Sequence, residues 1–415
     1  MYDWYFNFVS HLIRLKQWAV TAVFVLWAGC SYAQNHTISA HTSSFSAAPY
    51  PTDSLVVDTA LPPVKRGLFN RLLAYFAESN KEKKHKKFDF SIIGGPHYST
   101  DTKFGVGIMA AGLYYSDKTD SLMPPSNLAL YGDVSTVGYY LVGVKGVHLF
   151  PKQRYRLVYN TSFYFFPTKF WGIGYEQGNN SDNESTMNRI EINAKANFLF
   201  RWGKHFYVGP TVSYNWVDAR KIERPELLEG DAASSSDVGA GVAFELDTRD
   251  VMTNPHKGIY ITFSQLCRQQ LTNGRHLFFT TDFVANTYRP VWRGCTLAAQ
   301  LTGTLQWGKL AWNNMAMLGS SQSMRGYYGG RYRDKNKLDA QLELRQHIYR
   351  RNGTVVWIGI GTVFPRFDAL RFQRLLPNYG IGYRWEFKKN INIRLDYGFG
   401  KGNQSGFEFN VNEAF

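Results

Sequence analysis

An imidazole, a hydroxyl and a carboxylate lie close together at His97, Ser99 and Asp101, the set from which acyl-transfer sites are built. They fall at the end of a strand-like segment without a supporting constellation. The chain has no Gly-x-Ser-x-Gly elbow and no histidine pair at metal-ligand spacing. Gly105, Gly107 and Gly112 lack the spacing of a phosphate loop and sit on an alternating strand, where small residues relieve crowding. Cys267 and Cys295 belong to strands two apart in the order, so free thiols are expected rather than a disulfide. Asp247-Thr248-Arg249-Asp250 reads as a salt-bridged turn between two strands. These residues predict no enzyme, no cofactor and no metal site.

The elements that carry these residues are strands. Aromatic residues make up 16% of the 415-residue chain and glycine is abundant at 37, yet mean hydropathy is −0.32. Beyond the N-terminus no apolar run approaches the roughly 18 residues a membrane helix requires. Aromatic-rich sequence without apolar runs is the pattern of a transmembrane barrel, in which lipid-facing and lumen-facing residues alternate. Tyr155, Leu157, Tyr159, Phe163 and Phe165 oppose Arg156, Asn160 and Ser162; Ile391, Ile393, Leu395, Tyr397 and Phe399 oppose Asn392, Arg394, Asp396 and Gly398. Arginines on the wet faces imply a polar lumen. Sixteen such segments are predicted between Phe88 and the chain end, starting near Phe88, Lys103, Asn127, Tyr139, Arg154, Arg189, Lys204, Asp237, Gly258, His276, Gly294, Lys337, Gly353, Pro377, Ile391 and Gly406. The fold class is therefore all-β, a 16-stranded antiparallel transmembrane barrel. In the final segment Phe407, Phe409, Val411 and Phe415 share one parity, and Glu413 is the one exception on that greasy side.

Ahead of the barrel, residues 1–33 read as a signal peptide: Arg14 and Lys16 precede an apolar run, and Ser31-Tyr32-Ala33 suits cleavage. Lipoprotein cleavage before Cys30 is the competing reading. Residues 34–64 are Ser, Thr and Pro-rich and read as a disordered periplasmic linker. Residues 65–87 comprise a short amphipathic helix, with Leu68, Phe69, Leu72, Leu73 and Phe76 at helical spacing, and a basic run. The formal net charge is +15. For an exported barrel the counter-ions are outer-membrane lipids and lipopolysaccharide phosphates, with no nucleic acid expected.

The longest gap between strands contains Met324-Arg325-Gly326-Tyr327, which resembles the loop motif of the BamA/TamA superfamily of outer-membrane proteins. Further signatures occur in the same order: Asp247, Arg249 and Asp250 followed by Pro255 and Gly258; Ala340-Gln341-Leu342-Glu343-Leu344; Gly361-Thr362-Val363; and an aromatic-ended last strand. The resemblance places the protein in the outer membrane of a Gram-negative bacterium. It implies that the loop folds into the lumen and that Arg325 binds wall carboxylates, with Glu343 as one partner. Gly326 would permit the turn and Tyr327 would pack as the aromatic. Many relatives carry an Asp where this chain has Gly359, so the second acceptor is missing or supplied elsewhere, as by Asp396. The seam of such a barrel lies between the first strand, with Gly94-Gly95-Pro96, and the last, with Phe407, Phe409 and Phe415. Pro96 lacks an amide donor, so it either weakens the seam or ends the strand.

Residues 34–87 are too short for the periplasmic POTRA repeats of assembly members, so a short form is expected. The leading reading is insertion or translocation of protein or lipid substrates through an openable seam regulated by the loop. The alternatives are a plugged pore for passive solutes, or a structural membrane partner of an assembly complex with periplasmic or lipoprotein subunits.

Overall fold

The computed structural model describes residues 88–99, 101–114, 126–272, 274–388 and 390–415. The predicted signal peptide, linker, amphipathic helix and basic segment lie outside the described residues. Among these, sixteen antiparallel strands close into one barrel. They are β1 (Phe88–Ser99), β2 (Lys103–Tyr114), β3 (Ser126–Ser135), β4 (Tyr140–Leu149), β5 (Tyr155–Phe170), β6 (Ser185–Arg201), β7 (Phe206–Arg220) and β8 (Ser234–Asp247). The second half comprises β9 (Gly258–Gln270), β10 (Leu277–Trp292), β11 (Cys295–Gly308), β12 (Asn336–Tyr349), β13 (Asn352–Phe364), β14 (Leu376–Lys388), β15 (Ile391–Gly400) and β16 (Ser405–Val411).

Side-chain parity explains the closure. On β13, Val356, Ile358 and Ile360 are exposed, whereas Val355 and Trp357, of the opposite parity, are buried. On β14, Tyr379, Ile381 and Tyr383 face out, while Asn378 and Arg384 are buried in the lumen. Such a wall suits hydrocarbon outside and polar groups inside, and closure leaves no row of unpaired backbone groups in lipid. No helix among the described residues is long and apolar enough to cross a membrane.

Connections alternate in length. At the end where β16 finishes, β10–β11 and β12–β13 are joined by two residues each (293–294 and 350–351). At the opposite end the connections 171–184, 221–233 and 309–335 are longer.

Strand β6 begins at Ser185, earlier than the predicted Arg189, and β8 begins at Ser234 rather than Asp237. The extra residues extend the wall around an apolar cluster of Phe170, Met187, Val217, Ala219, Leu227, Leu228 and Trp312, the last from the longest loop. Pro96 does not end β1, which runs on to Ser99 with Pro96 paired to Val106. It faces the edge where, among the described residues, β1 meets β16 at a single Cα pair, Tyr98↔Phe409, so a missing amide donor costs little there.

The chain end corrects the parity reading. Strand β16 stops at Val411, and Asn412 takes φ +69°, a left-handed turn that asparagine tolerates. Beyond it, Glu413 enters the lumen instead of the lipid face, and the Phe415 ring lies 6.3 Å from that of Tyr288. Phe415 is therefore not a seam residue.

Candidate functional site

The loop between β11 and β12 folds into the lumen because it is apolar at intervals. Leu310, Trp312, Met315, Leu318, Met324, Tyr327 and Tyr332 are all buried. Two three-residue strands, Ala316–Leu318 and Tyr332–Asp334, pair antiparallel and form its stem. Between them Ser320 Oγ accepts the amides of Gln322 and Ser323, closing a tight turn. Met324 (φ +55°) and Gly326 (φ +104°) then flank Arg325 and turn its side chain toward the wall.

Arg325 is fully buried. Its Nη2 lies 2.5 Å from Glu343 Oε2 on β12 and its Nη1 lies 2.7 Å from Asp396 Oδ2 on β15. The guanidinium also stacks 3.7 Å from the ring centroid of Trp357 on β13. A planar fork serves two carboxylates and an aromatic face at once, which an ammonium cannot do. Asn378 donates from the wall to the Arg325 carbonyl. Tyr327 donates to the Pro377 carbonyl (2.6 Å) and accepts the Lys401 amide (2.8 Å), so the aromatic spans β14 and the β15–β16 turn.

The contacts continue into a closed ring of alternating charge. Glu343 Oε1 accepts from Arg345 Nε at 2.7 Å, and Arg345 Nε lies 3.8 Å from Glu413 Oε2. Glu413 Oε2 accepts from Arg384 Nε at 2.8 Å, and Arg384 Nη1 reaches Asp396 Oδ1 at 2.5 Å, returning to Arg325. Arg394 stands beside Asp396 at 3.6 Å. The inward tail is thus fastened to Arg345 and Arg384, the neighbours of the two carboxylates that hold the loop. Arg345 also donates to the Phe415 main-chain oxygen (2.8 Å).

Gly326 is required by two independent constraints. Its φ favours glycine, and a Cβ there would lie 2.6 Å from the Gly398 carbonyl carbon. Gly326→Ala is expected to cost at least about 1–2 kcal/mol of loop docking, read as faster proteolysis of residues 318–329 in the otherwise folded barrel.

The remaining sequence candidates lie elsewhere. Arg249 Nη2 pairs with Asp247 Oδ2 at 2.7 Å and its guanidinium lies 4.0 Å over the Tyr260 ring. Asp250 accepts the amides of Val251, His256 and Lys257, which folds the β8–β9 turn. Pro255 is buried in that turn, and Gly258 (φ +117°) passes so near Thr248 that a Cβ would sit 2.4 Å from its carbonyl oxygen. This set shapes a turn and does not touch Arg325. Gly94 and Gly95 pair with Ile108 and Gly107 on β2, and the Phe407 ring lies 5.7 Å from Tyr98 across the seam.

His97, Ser99 and Asp101 have three separate partners. His97 Nε2 lies 2.7 Å from Asp133, Ser99 Oγ lies 2.7 Å from the Thr102 hydroxyl, and Asp101 accepts the Gly329 amide at 2.8 Å. Burial beneath the loop pushes the Asp101 carboxyl up to about 6, against the opposing pull of the Gly329 amide and Lys103. Its protonated form is favoured by folding, so its contribution is full below the ordinary carboxylate range and fades as pH rises through about 6. No cluster of three or more metal-ligating side chains occurs among the described residues. Cys267 and Cys295 are free thiols on β9 and β11, with β10 between them.

Arg345, Arg384, Trp357 and Asn378 carry no mark in the sequence that singles them out. Arg345 shares strand parity with Glu343, and Arg384 sits on the wet face of β14, so parity marks both as lumen residues without showing their partners. Glu413 carried the opposite signal.

A sixteen-stranded wall that is aliphatic outside and charged inside, with an inward loop, defines a transmembrane β-barrel. Residues 148–415, well over half of the chain, match the Omp85 superfamily domain. The chain belongs to the Omp85 superfamily and is an outer-membrane protein of a Gram-negative bacterium. Among solved structures it is similar to BamA from Haemophilus ducreyi lacking POTRA domains 1-3, with TM-score 0.55 and 14% identity, covering 80% of this chain and 71% of that one. It is also similar to CdiB from Acinetobacter baumannii, with TM-score 0.51 and 13% identity, covering 80% of this chain and 60% of that one. CdiB from Escherichia coli has TM-score 0.51 and 9% identity, with 79% and 63% covered. At these identities the likeness is one of fold. The chain spans less than two thirds of either CdiB. No curated protein sequence matches it.

Proposed function

We propose that the barrel inserts or translocates protein or lipid substrates at the outer membrane by opening laterally between β1 and β16, with the Arg325 loop holding the closed state. The observation that carries this reading is the asymmetry of the wall. β5 and β6 pair from Tyr155↔Phe200 to Phe170↔Ser185, whereas the backbone register of β1 with β16 among the described residues is the single pair Tyr98↔Phe409. An edge held by so little backbone pairing can accept an incoming strand by β-augmentation. Periplasmic or lipoprotein subunits are the partners such a barrel would use to receive substrate, and lipid and lipopolysaccharide surround it.

A disulfide across the seam tests this. With Cys267 and Cys295 replaced, cysteines at Tyr98 and Phe409 are expected to crosslink on oxidation and to stop growth of cells that depend on the protein, with growth restored on reduction. Unimpaired growth with the seam fully oxidised would rule out lateral opening.

A plugged pore is the second reading, favoured by the charged lumen that the loop crosses. Deletion of residues 310–333 is then expected to raise single-channel conductance in planar bilayers. Conductance alone would be neutral between the readings, so the seam disulfide decides.

A further inference from the structure

Below the charge ring, toward the end where β16 finishes, lies a cavity of about 360 Å³. Arg345 and Arg384 form its inner wall with Glu413 between them; Asn392, His256 and Asn254 line its sides, and Trp292 stands at its mouth. We propose that this cavity binds a phosphate group.

Three observations point there. First, Arg345 Nη1 and Arg384 Nη2 are buried donors without a hydrogen-bond partner in the protein, although both arginines are more than nine-tenths buried and line the cavity. A buried guanidinium donor left unpaired is costly, and a bound oxyanion satisfies it. Second, the cavity abuts a dense guanidinium cluster: Arg325, Arg345, Arg384 and Arg394 share the carboxylates Glu343, Asp396 and Glu413. Glu408 faces the lumen beside Arg394 as a further acid of the cluster, and Glu386, which also lines the cavity, accepts the Asn390 amide. The two arginines with free donors are the members of this cluster that line the cavity. Third, the mouth lies at the rim. Trp292 and Tyr349 are exposed there, the band in which aromatic side chains meet lipid headgroups. Phosphate is the abundant anion at that depth, and its tetrahedral oxygens can serve two guanidiniums on either side of Glu413. A planar carboxylate, which Glu413 already supplies, bridges them less fully.

The phosphate can come from a lipid headgroup or from solution, and the two sources are separable. The full chain in non-ionic detergent is titrated with inorganic phosphate, followed by ³¹P line broadening, and then with short-chain phosphatidylglycerol. Saturable binding of inorganic phosphate alone supports a free-anion site; binding of both supports a headgroup site. Arg345→Lys and Arg384→Lys keep the ring charge but lose the guanidinium fork, and each is expected to weaken binding by about tenfold or more. If either fails to fold, Asn254→Asp places a negative charge on the cavity wall outside the ring and is expected to weaken binding similarly. The proposal is overturned if neither probe binds saturably, or if binding is as tight in the variants as in the parent protein.

Discussion

Replacing Arg325 by alanine is expected to free the loop from the wall and to destabilise the folded barrel by about 3–5 kcal/mol, the range for breaking a buried ion pair from one side. The cost is high because the removed group serves several partners. Glu343 and Asp396 stay fully buried after the change, each with one arginine partner gone, and Trp357 loses the cation stacked on its ring. The unfolding midpoint in urea should fall, and residues 318–329 should become protease-sensitive. Arg325→Lys should recover only part of the loss. An ammonium reaches one carboxylate at a time and cannot stack as a plane. An unchanged midpoint in Arg325→Ala would mean that the loop adds nothing to the closed barrel.

The second large effect is expected at the chain end. Glu413→Gln removes the charge that joins Arg384 and Arg345, costing about 1.5–3 kcal/mol for charge-assisted hydrogen bonds. Glu413 and Arg325 do not touch, but both pair with groups that share partners: Arg384 bonds Glu413 and Asp396, and Asp396 bonds Arg325. The double variant Arg325→Ala with Glu413→Gln should therefore depart from additivity by about 0.5–3 kcal/mol. Additive losses would mean that loop and tail are fastened independently. The stability of each variant, measured in the same urea titration, decides between these outcomes.

The ring gives the proposed gate a physical linkage. Lateral opening has to move β16, and β16 ends in a tail anchored through Glu413 and Phe415 to Arg384 and Arg345, which pair with the carboxylates that hold Arg325. Moving either element removes one ion-pair partner from each of two buried wall charges. The loop and the seam are thus biased toward moving together, which is how a weak backbone seam can stay closed at rest.

Much of the barrel was legible in the sequence because strand parity is a local property. Ile393, Leu395 and Tyr397 face one way and Arg394 and Asp396 the other whatever the neighbouring strands do. The motif around Arg325 marked the loop, the family resemblance named Glu343 as its partner, and parity put Asp396 on the lumen side. What parity could not supply is which rungs of different strands meet across the lumen. The meeting of Arg384 and Asp396 depends on the register of β14 with β15, in which Gly382 faces Asp396. Glu413 and Phe415 were misplaced for a different reason. Alternation holds only while the strand lasts, and the left-handed turn at Asn412 ends it four residues before the chain does.

The linkage of loop and last strand is tested most directly by hydrogen exchange in Arg325→Lys. If one ring holds both, amides of residues 405–415 should exchange faster by about tenfold or more together with those of the loop, for a loss of about 1.4 kcal/mol, while β5 to β8 remain unchanged. Faster exchange in the loop with 405–415 as protected as before would contradict the account.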